Sequence, residues 1–380
     1  MEKKNKVALV HDFLTGLGGA ENVLRVIAGI YKDSDVFTLI SDKKILQYSE
    51  FDWIRKRFVY PSFLQYFPKF LKRRRKLLLP FMPTAIETLD LRDYDLVISS
   101  SGAFSKGIVV KSKTLHVCYM HSPLRYVWDW SHRYIEENNL KGGLKFFTRF
   151  FLSFLRLWDR ASSQRPDYLI ANSKFTQSRI KKYYNRDSEV IYPPVEVDDF
   201  QVREDNKGYF LTVARLSAYK QVDVLIEAFD KLGLPLVVVG DGVEKRRLEK
   251  KIENSKNSRK MKLVGEVERT KLVKLYENAR AFVFACQDDF GIAPVEAMAA
   301  GKPVIALRDG GVVETVIEGE TGEFFEVTKS DEIVKGVEKF IKNENKYKPK
   351  RIRQRAEEFS RERFEVRLVG FIEKIKKINS

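Results

Sequence analysis

Two stretches place charge where strand-to-helix turns are expected. In Val213-Ala214-Arg215-Leu216-Ser217, followed by Tyr219-Lys220-Gln221, a strand ends at Arg215 and a helix begins soon after Lys220. Two cations at the carboxyl end of a strand can neutralise a diphosphate, although an Arg/Lys pair also suits a solvated face. In Asp288-Asp289-Phe290-Gly291-Ile292-Ala293-Pro294-Val295-Glu296, an apolar strand leads through Gly291 into a helix that ends at Gly301. Pro294 falls in its first turn, where proline is tolerated. The first-turn amides around Gly291, Ile292 and Ala293 suit a phosphate, and the loop amides after Phe290 suit sugar hydroxyls. Asp288 and Glu296 bracket this helix start, so one carboxylate can reach a sugar hydroxyl and the other a ribose. The alternative is an ordinary loop with solvated acids.

Two further stretches follow strands. Thr15-Gly16-Leu17-Gly18-Gly19-Ala20-Glu21 lets backbone approach a ligand at a helix start. It is not the dinucleotide fingerprint, because Glu21 stands where the third glycine belongs, which argues against an NAD-dependent enzyme. Tyr119-Met120-His121-Ser122-Pro123 puts a histidine at a strand end, either to meet substrate or as a structural loop residue.

The elements that must position these residues are legible as short apolar runs. They occur at 7–10, 36–40, 96–99, 115–119, 168–171, 190–192, 209–213, 236–239, 262–264, 281–285, 304–306 and 323–326. Most are continuously apolar, as parallel strands covered on both faces require. Amphipathic stretches such as 223–232, 244–254 and 269–278 lie between them, which predicts doubly wound α/β units. The pattern restarts after Tyr192-Pro193-Pro194. The expected domains are 1–197 and 198–360, with a charged terminal helix, about 361–380, packing back on the first. Ligands of such sheets bind at the carboxyl ends of the strands, here in a cleft between the two domains.

Composition narrows the class. The chain has 380 residues, 44% hydrophobic and 32% charged, enough for real cores. Two cysteines and four histidines exclude a disulfide framework and a histidine-rich metal centre. No spaced Asp-x-Asp pair offers a metal site. No apolar signal region or membrane span is evident, so the chain reads as cytoplasmic. The net charge of +17 asks for a polyanionic partner: nucleic acid, an anionic membrane or phosphate-rich substrates.

Taken in order, these motifs resemble the family-4 retaining glycosyltransferases, which have the GT-B fold of two Rossmann-like domains. The resemblance covers nearly the whole chain. The family's Glu-x7-Glu matches Asp288 to Glu296, with aspartate in the first place. Its donor-diphosphate Arg and Lys match Arg215 and Lys220. Val238-Val239-Gly240-Asp241-Gly242 is similar to the family's Gly-Asp-Gly turn, and Val264-Gly265-Glu266-Val267 to the segment whose backbone reads the base. The resemblance thus implies donor binding by Gly18, Gly19, Arg215, Lys220, Gly240, Val267, Asp288, Phe290, Gly291, Ile292, Ala293 and Glu296. It implies catalysis by His121, Asp288, Arg215 and Lys220, and acceptor binding by Gly18, His121 and Arg125. The run His121 to Asp129, with Ala171-Asn172-Ser173 and Tyr192-Pro193-Pro194-Val195, is most similar to bacterial mannosyltransferases of surface-polysaccharide assembly. It implies a nucleotide-diphosphate sugar, GDP-mannose, as donor, with no metal or other cofactor. A UDP-sugar of glucose, galactose or N-acetylglucosamine is the alternative.

The densest cluster of cations falls in 62–83. Lys69, Lys72, Arg73, Arg74, Arg75 and Lys76 interleave there with Phe67, Phe70 and several leucines. That mixture suits an anionic membrane interface, with Phe67, Phe70, Lys72, Arg73, Arg74, Arg75 and Lys76 as contacts. It fits a peripheral enzyme on the inner face of the membrane whose acceptor is a lipid-linked glycan. Nucleic acid is the distant alternative, because no reader motif is present. A second aromatic stretch, 144–158, carries phenylalanines at helical spacing and is expected to bury them in the first domain's core.

Overall fold

The computed structural model describes residues 6–16, 18–42, 52–55, 57–131 and 142–379. They form two compact units, dividing after Tyr192, with the terminal helix counted in the second. Val195, Val197 and Phe200 are buried, and the Arg353 guanidinium donates to the carbonyls of Val197 and Phe200 at 2.6 and 3.0 Å. Residues 193–200 therefore belong to the second unit, into whose core their apolar side chains pack.

The first unit is built on a seven-stranded sheet, with β1 Val7–Leu14, β2 Asp35–Ser41, β3 Val59–Pro61, β4 Leu96–Ser101, β5 Leu115–Met120, β6 Tyr168–Ala171 and β7 Glu189–Val190. The order is β3-β2-β1-β4-β5-β6-β7, and every pairing is parallel. Interior strands such as β4 are buried at every position, which explains their unbroken apolar runs. The short edge strand β3 ends in Pro61, which is tolerated only where no further ladder partner is needed.

The second unit repeats the plan with six strands, β8 Phe210–Val213, β9 Leu236–Val239, β10 Met261–Gly265, β11 Ala281–Phe284, β12 Val304–Leu307 and β13 Gly322–Phe325. The order is β10-β9-β8-β11-β12-β13, again all parallel. Phe210, Phe229, Phe282 and Phe340 lie fully buried between sheet and helices. The charged terminal stretch forms two helices, Pro349–Glu357 and Arg361–Asn379.

In both sheets the order reverses beside the first strand, between β1 and β4 and between β8 and β11. Helices leave such a reversal in opposite directions, so the carboxyl ends there stay accessible.

The aromatic helix differs from expectation. Helix Gly142–Ser162 buries Leu152 and Leu155 and packs Phe151 and Trp158 against the first unit's core. Phe146, Phe147, Phe150, Phe154 and Leu157 are instead exposed. The apolar arc of this helix is wider than the one face a sheet layer can cover, so part of it remains outside. In the basic segment, Phe67 is half-buried and packs on the core, with its ring 6.0 and 5.7 Å from those of Phe63 and Phe81. Phe70 and Arg74 are exposed, and Lys72 is half-buried with Nζ donating to the Gln65 carbonyl at 2.7 Å. The side chains of Arg73, Arg75 and Lys76 lie outside the described residues.

One carboxylate organises the first unit's switch point. Asp12 Oδ2 accepts the amides of Gly102 and Ala103 at 2.7 and 2.8 Å, and Oδ1 those of Phe104 and Ser105, each at 2.7 Å. The next residue, fully buried Lys106, places Nζ 2.5 Å from Asp159 Oδ1 of the aromatic helix. Asp159 Oδ2 also accepts Trp128 Nε1 and Tyr184 Oη, each at 2.7 Å. Asp12→Ala leaves four amides, those of Phe104 and Ser105 buried, without this acceptor and is expected to lower stability by about 3 kcal/mol or more, measured by urea denaturation.

Candidate functional site

Each unit carries one cluster of the expected residues, at its own switch point. In the second unit, β8 ends at Val213 and the loop carries Arg215, which is exposed, and Lys220. The loop's path is fixed by close backbone approach. A Cβ at Gly240 would lie 1.9 Å from the Ala214 carbonyl oxygen, and one at Gly242 2.2 Å from that of Leu216. Only glycine allows β9's end to brace the two residues flanking Arg215. Gly240 thus acts through the loop that carries Arg215.

Lys220 Nζ donates to Asp288 Oδ2 at 2.7 Å, joining the loops after β8 and β11. Lys220 is 11% exposed and Asp288 27%. Burial alone would lower the Lys220 ammonium, but the Asp288 carboxylate outweighs it and holds the lysine well above its usual value. The residue after Lys220, Gln221, is one of two non-glycine residues at positive φ among those described, at 54°. The other, Asn185, merely ends a helix. Gln221 precedes helix Val222–Leu232, so local strain sits next to the functional cation.

Asp288 is itself braced by glycines. The Gly311 amide donates to its carbonyl at 2.9 Å, and a Cβ on Gly310 would stand 2.3 Å from that oxygen. The chain then passes buried Phe290 and enters helix Ile292–Ala299 through Gly291, at φ 87°. The amides of Ile292 and Ala293 open this helix and lack intrahelical acceptors. Glu296, one turn on, is engaged through both oxygens: Arg269 Nη1 donates to Oε1 at 2.5 Å and Tyr276 Oη to Oε2 at 3.0 Å. Each oxygen keeps a second lone pair. Val267 is half-buried in the loop after β10.

In the first unit, Gly18 caps helix Gly19–Ile30, and a Cβ on it would meet Glu21 Oε2 at 2.8 Å. His121 and Arg125 follow β5, both half-buried. His121 belongs to a chain of polar groups. Its Nε2 lies 2.7 Å from Ser100 Oγ, and His11 Nδ1 lies 3.1 Å from both the Oγ and the carbonyl oxygen of Ser100. His11 Nε2 is 3.8 Å from Glu21 Oε1. A carbonyl can only accept, so His11 Nδ1 carries a proton and Ser100 Oγ is left to donate to His121 Nε2. His121 then carries its own proton on Nδ1. Burial, together with neighbouring His11, pushes the His121 imidazole down to about 3. Burial also works against a His11 cation, but Glu21 raises it overall.

Several participants were missed by sequence reading. His11, Asp12 and Ser100 lie in strands just past the apolar runs at 7–10 and 96–99, and Arg269 and Tyr276 in an amphipathic helix. Nothing in their local spacing marks them. Among the described residues, no group of three or more His, Cys, Asp or Glu is placed to hold a metal ion.

The chain is similar to known proteins along most of its length. Residues 18–199 match the model of Glycosyltransferase Family 4, and residues 195–359 that of Glycosyl transferases group 1. The chain belongs to the family-4 glycosyltransferases. The alpha-1,3/1,6-mannosyltransferase ALG2 of Dictyostelium discoideum is 23% identical over 395 residues, covering 87% of this chain and 88% of that protein. The O-antigen chain mannosyltransferase RfbU of Salmonella typhimurium is 31% identical over 160 residues, covering 40% and 45%. Among solved structures, Anabaena HepE in complex with UDP superposes with a TM-score of 0.69 at 18% identity, covering 97% of this chain and 100% of that one. This family-4 glycosyltransferase therefore has the GT-B fold.

The depressed His121 gives a pH signature. The unfolded chain takes up this proton near pH 6.5, whereas the folded one resists until about 3. The neutral ring's contribution is therefore complete above pH 6.5 and is lost as pH falls towards 3. His121→Asn should flatten the acid limb of stability by at most about 1.4 kcal/mol per pH unit. Urea titrations between about pH 7 and pH 4 check this, and equal slopes in both proteins would contradict it.

Proposed function

We propose that the protein is a retaining hexosyltransferase that moves mannose from GDP-mannose to a lipid-linked glycan during surface-polysaccharide synthesis. The observation that carries the donor side is the Lys220–Asp288 pair at the second switch point, with exposed Arg215 on the same loop and the helix start of Gly291–Ala293 next in the chain. Two cations and first-turn amides match a leaving diphosphate, whose charge grows as the glycosidic bond breaks.

On donor binding, the diphosphate becomes the partner of Lys220. Asp288 Oδ2 is then released to a sugar hydroxyl, and the shorter aspartate side chain stands where the family carries glutamate. Glu296, steadied by Arg269 and Tyr276, offers its remaining lone pairs to the ribose. Val267 supplies backbone for the base. In the first unit, His121 offers its Nδ1–H to the transferred sugar, and Gly18, Gly19 and Arg125 serve the acceptor side. The leaving phosphate takes the acceptor proton, so no covalent nucleophile and no metal are required by this scheme.

Mannose is favoured by the named activities of ALG2 and RfbU. The UDP bound in HepE favours a UDP-sugar as the second reading. A lipid-linked acceptor at the inner face of the membrane agrees with the cationic segment around Arg74. No helix among the described residues is long and apolar enough to cross a membrane.

A thermal-shift panel of GDP, UDP, ADP and their sugars tests the donor. GDP-mannose at about 100 times its dissociation constant should add ~2.7 kcal/mol. Stabilisation by UDP-sugars alone would replace mannose with the second reading. Lys220→Ala should abolish transfer while remaining folded; near-normal turnover in a folded variant would reject the diphosphate role.

A further inference from the structure

Among the described residues, 21 large hydrophobic side chains are exposed, and ten of them fall in only two segments of the first unit. Phe63, Tyr66, Phe70, Leu77 and Phe81 lie in the basic segment, and Phe146, Phe147, Phe150, Phe154 and Leu157 in helix Gly142–Ser162. Both segments pack their inner sides on one core cluster, through Leu64 and Leu78 and through Leu152 and Leu155. The second unit exposes no aromatic side chain. A concentration of this kind is more than the scattered apolar exposure of an ordinary surface.

We infer that the outer face of helix Gly142–Ser162 is a membrane-docking surface, inserted at the headgroup level of an anionic bilayer. The helix's charge decides the occupant. Lys145, Arg149, Arg156 and Arg160 follow i, i+4, i+11 and i+15 spacing, which sets them in one stripe beside the apolar face. Arg149 and Arg160 are exposed. The only acid in the helix, Asp159, is fully buried with Lys106. The outer surface is therefore phenylalanine and cation with no carboxylate, which complements anionic headgroups above acyl chains. A second copy of the chain would instead have to pair this cationic stripe with itself or find acids elsewhere.

The fold makes insertion mechanically sound. The Asp159 carboxylate ties the helix to Lys106, Trp128 and Tyr184, and Arg156 Nε donates to the Val127 carbonyl at 2.8 Å. The inner face is thus fixed while the outer face is free to meet lipid. An open groove lined by Leu157, Arg160, Ala161, Gln164, Tyr184 and Asn185 continues the face at the helix's carboxyl end. The inference deepens the membrane reading proposed above, and moves its main element from the basic segment to this helix.

The test is co-sedimentation of the full chain with two vesicle types, pure phosphatidylcholine and phosphatidylcholine with about one-third phosphatidylglycerol. The wild-type protein should bind the anionic vesicles and release as salt rises. The triple variant Phe146→Ser, Phe150→Ser, Phe154→Ser should lose at least tenfold in partitioning, since it removes three of the exposed rings that would enter the bilayer. Arg149→Glu with Arg160→Glu should weaken anionic binding and remove its salt dependence. Unchanged partitioning of the folded triple variant, or equal wild-type binding to neutral vesicles, would overturn the inference. So would a wild-type dimer that the triple variant dissociates in size-exclusion chromatography with light scattering. Nucleotide-sugar stabilisation of the triple variant is measured in parallel. Its loss across both proteins would count against the donor reading, and vesicle binding would still report on the helix.

Discussion

The constraint behind both units is the reversal of strand order in an all-parallel sheet. Beside β1 and again beside β8, successive connections leave to opposite sides, so two carboxyl ends stand next to each other without a helix across them. Backbone and polar side chains must be satisfied there by something other than a ladder partner. The two units solve this differently. Asp12 collects four amides of the loop after β4 on one carboxylate. In the second unit, glycines at 240, 242, 310 and 311 let backbone meet backbone, and the Lys220–Asp288 pair closes the gap between the loops.

These solutions leave different chemistry at the two ends. Around β1 and β4 the polar groups are neutral or internally compensated, with Ser100 orienting His121 and Glu21 compensating His11. Such a place suits the sugar or alcohol of the proposed reaction, held by direction rather than by charge. Around β8 and β11 the groups are cations and helix-start amides, set against one carboxylate. Such a place suits the proposed donor's diphosphate. The division of labour follows from which residues each reversal exposes.

Much of this was legible in the sequence. The buried parallel strands announced themselves as unbroken apolar runs, and Arg215, Lys220, Asp288 and Gly291 stood at the ends of such runs. What could not be read was long-range pairing. Asp12 and its amide partners are 90 to 93 residues apart, and Ser100 meets His11 across 89. Gln221's positive φ has no glycine to signal it. The aromatic helix was misjudged because phenylalanine spacing shows the width of an apolar arc, not how much of it a sheet can cover.

The net charge of +17 thereby acquires separate roles. A few cations serve the diphosphate in the proposed reaction, others lie along the aromatic helix, and many pair with neighbouring acids on the second unit's surface, as Arg308 does with Glu318 and Glu326. The central claim concerns the first of these. Calorimetric titration of GDP and UDP into the wild-type protein and into Lys220→Ala tests it most directly. The wild type should bind one nucleotide saturably, and the folded variant should lose at least tenfold in affinity, about 1.4 kcal/mol or more. Equal affinity in both proteins, or no nucleotide binding by the wild type, would contradict it.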